Sequence, residues 1–216
     1  RKSIEEIFES PEMSTRQALL QRNFSRRAMD RFFKPFLGGL MLDSKLAVSS
    51  RMFEFFFKMI TEGDAALPAG GMQAIPEQLA EGLGADAIRF HQRVRSIEAG
   101  RLLMAGGETL EAGSIVIATE GPEASRLLGY ERTVPSRSVC CLYFAAKEPP
   151  VDDPILVLSG SARGPINNMV VQNLVAPSYA PEGEFLISVT VLGMPSRDDQ
   201  TVATQVRSQL KRWYGL

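Results

Sequence analysis

The chain has 216 residues, 44% of them hydrophobic and 23% charged, enough for one substantial core or two small ones. A formal net charge of -1 leaves no electrostatic footprint for nucleic acid, so none is expected as a partner. The only cysteines, Cys140 and Cys141, are neighbours whose side chains point to opposite faces of a strand, which argues against a mutual disulfide, and with one histidine, His91, no zinc-type spacing exists.

Residues 3 to 34 are expected to be helical. Ser3 can cap a first turn, Ser10-Pro11 breaks it, and Ser14 can cap the next helix. Arg16, Arg22, Arg26, Arg27, Arg31 and Lys34 face a lone Asp30 over this stretch. Two readings fit: a solvated helix face, or a basic aromatic face resting on an anionic membrane surface. Lys34 to Gly39 is expected to be a loop, because proline and paired glycines oppose helix. A helix over Lys45 to Ile60 then carries Met52, Phe53, Phe55, Phe56, Phe57 and Met59. Most of these suit a core, while apolar residues on more than one face suit the lining of a pocket for a greasy substrate.

Leu67 to Thr119 organises the chain. Pro68, Gly70 and Gly71 mark a turn. Ile75, Leu79 and Leu83 then recur at helical spacing, and Gly82 and Gly84 close that helix. Strands are expected at Ala87–Phe90, around Val94 and Ile97, and at Leu102–Met104. Ser114–Ala118 reads as a strand covered on both faces. A short helix follows from Pro122 to Leu128. Four further strands, Val139–Ala146, Ile155–Leu158, Asn168–Leu174 and Phe185–Leu192, are joined by turn-length loops and imply a largely antiparallel sheet. Asp198 or Asp199 caps a last helix with Val202, Val206, Leu210 and Trp213 on one face.

Gly70-Gly71-Met72 with Ala74-Ile75-Pro76-Glu77-Gln78-Leu79-Ala80, then Val94-x-x-Ile97, Val116-Ile117-Ala118-Thr119 and Pro122-x-Ala124, resembles the flavin-containing amine oxidase superfamily, including its phytoene-desaturase-like and protoporphyrinogen-oxidase-like members. Arg31 to Gly39 and Leu142 to Ala146 extend the likeness over nearly the whole chain. The resemblance implies an α+β fold: a helical segment and an antiparallel or mixed sheet form a substrate domain, with part of an FAD-binding α/β domain inserted. The expected bounds are 1–66 and 133–216 for the substrate domain and 67–132 for the FAD side. It also implies FAD in the complete protein, with Val94 presenting backbone groups to the adenine edge and Ala118 and Thr119 lying at a strand end near the cofactor.

The family's opening G-x-G-x-x-G is missing. Gly82-x-Gly84-x-x-Ala87 matches its looser spelling but runs from a helix into a strand, the reverse of what a helix N-terminus needs to meet a diphosphate. The chain therefore reads as the middle of a larger flavoenzyme and is expected to hold no flavin alone. Paired carboxylates such as Asp152-Asp153 sit at turns, and no nucleophile–base set is visible, so catalytic residues remain unassigned.

The reading is an FAD-dependent oxidoreductase fragment that takes hydride from a lipophilic or amine-bearing small molecule. Phe53, Phe56, Phe57 and Met59 are expected to share a substrate cavity with Leu142 and Phe144. The alternative is a non-catalytic ligand-binding module that kept the fold and lost the cofactor. A cytoplasmic location is expected, with peripheral membrane contact as the variant. Unpaired strand edges near Ile88 and Ile115 would favour self-association.

Overall fold

A computed structural model describes residues 2–84, 86–131, 136–161, 163–194 and 198–215. The chain divides into two compact units, Arg1–Gln73 with Arg137–Leu216, and Ala74–Ser136.

The first unit opens with α1 (Ile4–Glu9) and α2 (Thr15–Gln21), each started by a capping box. The Glu6 amide donates to Ser3 Oγ at 3.1 Å while the Ser3 amide donates to Glu6 Oε2 at 2.7 Å. Ser14 and Gln17 repeat the exchange at 3.2 and 3.1 Å. Each box satisfies two amides that a helix start would otherwise leave orphaned.

After α3 (Arg26–Ala28) one π-helical turn, Met29–Phe33, runs directly into α4 (Lys34–Met41). The loop expected at Lys34–Gly39 is thus corrected to helix. Pro35 stands where the π-helical turn passes into α4, an irregular turn of the kind that accommodates a proline within a continuous helix. Gly39 answers to packing rather than to a turn, since a Cβ there would lie 2.7 Å from the Nδ2 atoms of both Asn167 and Asn168. Helical spacing puts Met29, Phe33, Leu37 and Met41 on one buried stripe, which meets Leu19, Leu46 and Phe53.

Residues 42–49 form a loop with Leu42 and Leu46 at positive φ, so α5 (Ser50–Glu62) starts later than the expected Lys45. Asp43 shapes that loop. Its carboxylate accepts the amides of Lys45, Ala47 and Val48 at 3.0, 2.7 and 3.0 Å.

The second unit holds α6 (Ala74–Glu81), the antiparallel strands β1 (Val94–Glu98), β2 (Arg101–Met104) and β3 (Thr109–Glu111), and α7 (Gly121–Leu127). Ala99 and Gly100 both have positive φ, as the two-residue turn between β1 and β2 requires.

Two strands expected here are not formed. Ala87–Phe90 forms no strand, and Ser114–Ala118 pairs with no strand among the described residues. Val116 is 89% exposed, so the covering on both faces is also corrected. An apolar run has strand propensity, but a parallel strand persists only with neighbours to take its amides and carbonyls. The edges on which self-association was expected are therefore absent as strands. The Ile75, Leu79 and Leu83 face of the α6 segment is likewise exposed.

Back in the first unit, β4 (Val139–Ala146), β5 (Val157–Leu158), β6 (Asn168–Val171) and β7 (Phe185–Leu192) form an antiparallel sheet in the order β4-β7-β6-β5. The stretch expected as one strand to Leu174 turns after Val171 into α8 (Gln172–Val175). One face of the sheet, with Met169, Val171, Ile187, Val189 and Val191, buries against Val202, Val206 and Leu210 of α9 (Asp199–Tyr214). Asp198 caps α9 by accepting the Thr201 amide at 2.9 Å, and Gly215 ends it in the left-handed region. The architecture is α+β.

Candidate functional site

The residues expected to meet a flavin lie in the second unit. Val94 begins β1, an edge strand of its sheet. Its partner across the ladder is Met104, while the next pair is Ser96 with Leu103, so Arg95 is an extra, bulged residue. The bulge leaves the carbonyls of Val94 and Arg95 both turned to the Arg126 side chain on α7, with Nη2 donating to Val94 at 3.1 Å and Nη1 to Arg95 at 2.7 Å.

The same guanidinium donates from Nε and Nη2 to Glu123 at 2.8 and 2.6 Å. Each partner stabilises the charge of the other. Hydrogen bonding to Glu123 raises Arg126 above the ordinary guanidinium value, and Arg126 holds Glu123 below the ordinary carboxyl value.

What this edge has to offer the adenine end of a flavin nucleotide is backbone carbonyl. A backbone edge with an outward carbonyl can accept an exocyclic amine, and a carbonyl already bonded to Arg126 keeps a second lone pair. A diphosphate cradle is another matter. Among the described residues Gly82 and Gly84 follow α6 and lead into bend and turn, with no helix N-terminus to face phosphate. Ala118 and Thr119 are exposed coil. The Thr119 hydroxyl reaches only the Glu120 carbonyl, at 3.4 Å.

The expected substrate lining lies in the first unit, and the structure divides it. Phe53 and Phe57 line a cavity of about 460 Å³ with Phe24, Phe33 and Ile7. Their rings form a chain: Phe24–Phe33 at 4.6 Å, Phe33–Phe53 at 6.5 Å and Phe53–Phe57 at 5.5 Å between centroids. Phe56 packs on the helical core instead, and Met59 is exposed outside the cavity lining.

Charged side chains ring the cavity. Glu54 takes Lys2 at 2.8 Å and also Arg22, whose guanidinium stands 5.8 Å over the Phe53 ring. Burial pushes the Glu54 carboxyl up, but the bonds from Lys2 and Arg22 outweigh it and hold the group below its ordinary value. Lys58 pairs with Glu62 at 2.7 Å.

Leu142 and Phe144 do not join this cavity. They sit on the sheet face that packs toward α9, with the Arg207 guanidinium 5.5 Å from the Phe144 ring centre. Their strand neighbours face the other way. There Cys141 Sγ lies 3.6 Å from Ser188 Oγ, and Tyr143 stands opposite Ser188 in the ladder. The Tyr143 phenol is pushed above its ordinary value, chiefly by the neighbouring Cys141, with partial burial adding to the effect. Strand alternation is the signal that separates the two faces, because the exposed Cys141 and Tyr143 are one step out of phase with Leu142 and Phe144. Arg126 had no such signal. Its role depends on a bulge that local sequence does not announce.

The described residues contain no cluster of three metal-ligating side chains and no helix long and apolar enough to cross a membrane.

The family model described as flavin containing amine oxidoreductase matches residues 8–216. No curated protein matches the sequence. Solved structures of the same fold include an oxidoreductase from Methanosarcina mazei, with TM-score 0.75 and 20% identity over 98% of this chain and 55% of that one. A protein from Pyrococcus furiosus gives TM-score 0.69 at 14% identity, covering 98% of this chain and 58% of its own. Reduced UDP-galactopyranose mutase gives TM-score 0.69 at 13% identity, covering 96% and 53%. The chain thus spans about half the length of each of these structures, and at such identities the likeness concerns the fold.

Proposed function

The chain belongs to the flavin containing amine oxidoreductase family, and from that membership we propose that it forms part of an FAD-dependent oxidoreductase acting on a lipophilic or amine-bearing small molecule. The single observation that supports this beyond family membership is the bulged edge at Val94–Arg95. Its backbone lies on an edge strand, and both of its carbonyls accept hydrogen bonds from Arg126. When bound, the flavin supplies the two-electron acceptor for a hydride leaving the substrate.

The chain's own residues have simpler duties. Val94 offers backbone hydrogen bonds to the adenine edge, and Arg126 holds that backbone in place. Ala118 and Thr119, exposed on the stretch that leads into α7, would lie at the cofactor. Phe53 and Phe57 supply apolar area that takes a lipophilic substrate out of water, the main source of affinity in such pockets.

The test is expression of the complete reading frame that contains this chain, followed by an absorbance spectrum and anaerobic addition of candidate substrates. Flavin absorbance that bleaches with a lipophilic donor or an amine is expected. A full-length product that purifies without flavin and cannot be reconstituted would favour a ligand-binding module instead.

A further inference from the structure

The cavity between α1, the α2–α3 connection, the π-helical turn and α5 has a composition that points to one ligand class. Its floor is aromatic and aliphatic: Ile7, Phe24, Phe33, Phe53 and Phe57. At about 460 Å³ it falls within the range of small-molecule sites, roughly 300–1,000 Å³. Phe57 remains 38% exposed and Phe24 39%, so these rings offer apolar surface that folding has not buried.

The rim is polar on one side and carries unequal charge. Three cations, Lys2, Arg22 and Lys58, meet two carboxylates, Glu54 and Glu62, among the lining side chains. The shortfall is local. Among the described residues Lys58 pairs with Glu62, whereas Lys2 and Arg22 both pair with Glu54. Arg22 lies directly against the aromatic floor, over Phe53, with one nitrogen given to the Ala18 carbonyl at 3.1 Å. A second carboxylate arriving beside Arg22 and Lys2 would complete the charge balance there, and an attached hydrocarbon chain would then lie on the rings.

We propose that this cavity binds a single-chain amphiphile, an alkyl chain bearing a carboxylate, with the chain on Phe24, Phe33, Phe53 and Phe57 and the head at Arg22 and Lys2. This deepens the proposed function by naming a substrate class. It rests on that reading only for the word substrate, since binding itself needs no flavin.

The experiment is calorimetric titration of the 216-residue chain, below micelle-forming concentrations, with octanoate, decanoate and dodecanoate and with the matching alcohols. Affinity is expected to rise about twofold to fourfold per methylene, the range for partly to fully buried CH₂ groups. Each carboxylate should bind more tightly than its alcohol, with the gap narrowing as salt is raised. Arg22→Gln should erase most of that gap and leave the alcohol's affinity in place. Phe57→Asp, at a position 38% exposed, should abolish binding of both.

Affinity independent of chain length would overturn the proposal, as would equal affinity for carboxylate and alcohol in the unmutated chain. Neither readout depends on a variant folding. No binding of dodecanoate, combined with cosedimentation on phosphatidylglycerol vesicles that Phe57→Asp removes, would assign the aromatic floor to a membrane surface and also overturn it. Confirmed binding in a chain whose full-length form never takes up flavin would keep this inference and remove the oxidoreductase reading.

Discussion

Arg126 reaches from α7 to the Val94 carbonyl, 32 residues earlier in the chain, and holds it at 3.1 Å while its other terminal nitrogen holds the carbonyl of the bulged Arg95. One planar fork thereby fixes two successive carbonyls of an edge strand, a geometry that a lysine's single ammonium cannot reproduce. Arg126→Gln is expected to loosen β1 without unfolding the first unit. Hydrogen exchange at the β1 and β2 amides should quicken several-fold, with Arg126→Lys intermediate. Unchanged exchange in the glutamine variant would show that the bulge stands without the fork.

Asp43 is the corresponding device in the first unit. Its buried carboxylate gathers three amides and also pairs with Arg137 at 3.1 Å. Asp43→Ala leaves those amides without a partner and should cost about 2–4 kcal/mol. Burial alone would raise this carboxyl, but Arg137 and the three amides outweigh it and set it below the ordinary value. A lowered folded-state value means the contribution is complete above the unfolded value of about 3.9 and is lost as pH falls through the folded one. Urea midpoints of the two proteins should therefore differ fully at neutral pH and converge in acid below that value. A gap that stays constant with pH would rule out the carboxylate as its source.

Gly164 has φ +105°, and a Cβ there would lie inside the Gln209 carboxamide. Gln209 cannot swing aside easily, being fully buried on α9 with its Oε1 accepting the Ile166 amide at 3.2 Å. Gly164→Ala should destabilise the sheet unit by about 2–3 kcal/mol, combining backbone strain with overpacking. A loss under half of that would mean the loop relaxes away from α9.

Tyr143 offers a spectroscopic check of the outward sheet face. Its phenol should ionise at higher pH than an unperturbed tyrosine, because the neighbouring Cys141 and partial burial both disfavour its anion. Cys141→Ala should bring that midpoint down in an ultraviolet titration. An unmoved midpoint would place the two groups out of contact.

Much of the fold was legible because local rules decided it. The Ser3 and Ser14 caps, the strands Val139–Ala146 and Phe185–Leu192, and the Asp198-capped final helix all follow from side-chain chemistry within a few residues. The failures share a cause of longer range. Pro35 and Gly39 read as loop until the π-helical turn before them and the asparagines beside them are known. Ser114–Ala118 read as a buried strand because its partners could not be read from the run itself. Leu142 and Phe144 were placed by their apolar character, whereas the phase of the strand sends them to α9. For the candidate site, the aromatic pair Phe53 and Phe57 was legible from composition, while the Arg22–Glu54–Lys2 rim depends on contacts across more than 30 residues.

The most direct measurement is a titration of the isotopically labelled 216-residue chain with FAD, followed by amide chemical shifts. Two backbone hydrogen bonds at about 0.5–1.5 kcal/mol each fall well short of the roughly 8 kcal/mol that micromolar binding needs. The chain should therefore purify colourless. Weak, AMP-competed shifts should centre on Val94 and Arg95 and extend to Ala118 and Thr119, and Arg126→Gln should reduce them. No shift at Val94 and Arg95 at millimolar FAD would contradict the assignment of this edge to adenine. Stoichiometric tight binding that AMP fails to compete would contradict it too, by requiring a phosphate site elsewhere in the chain.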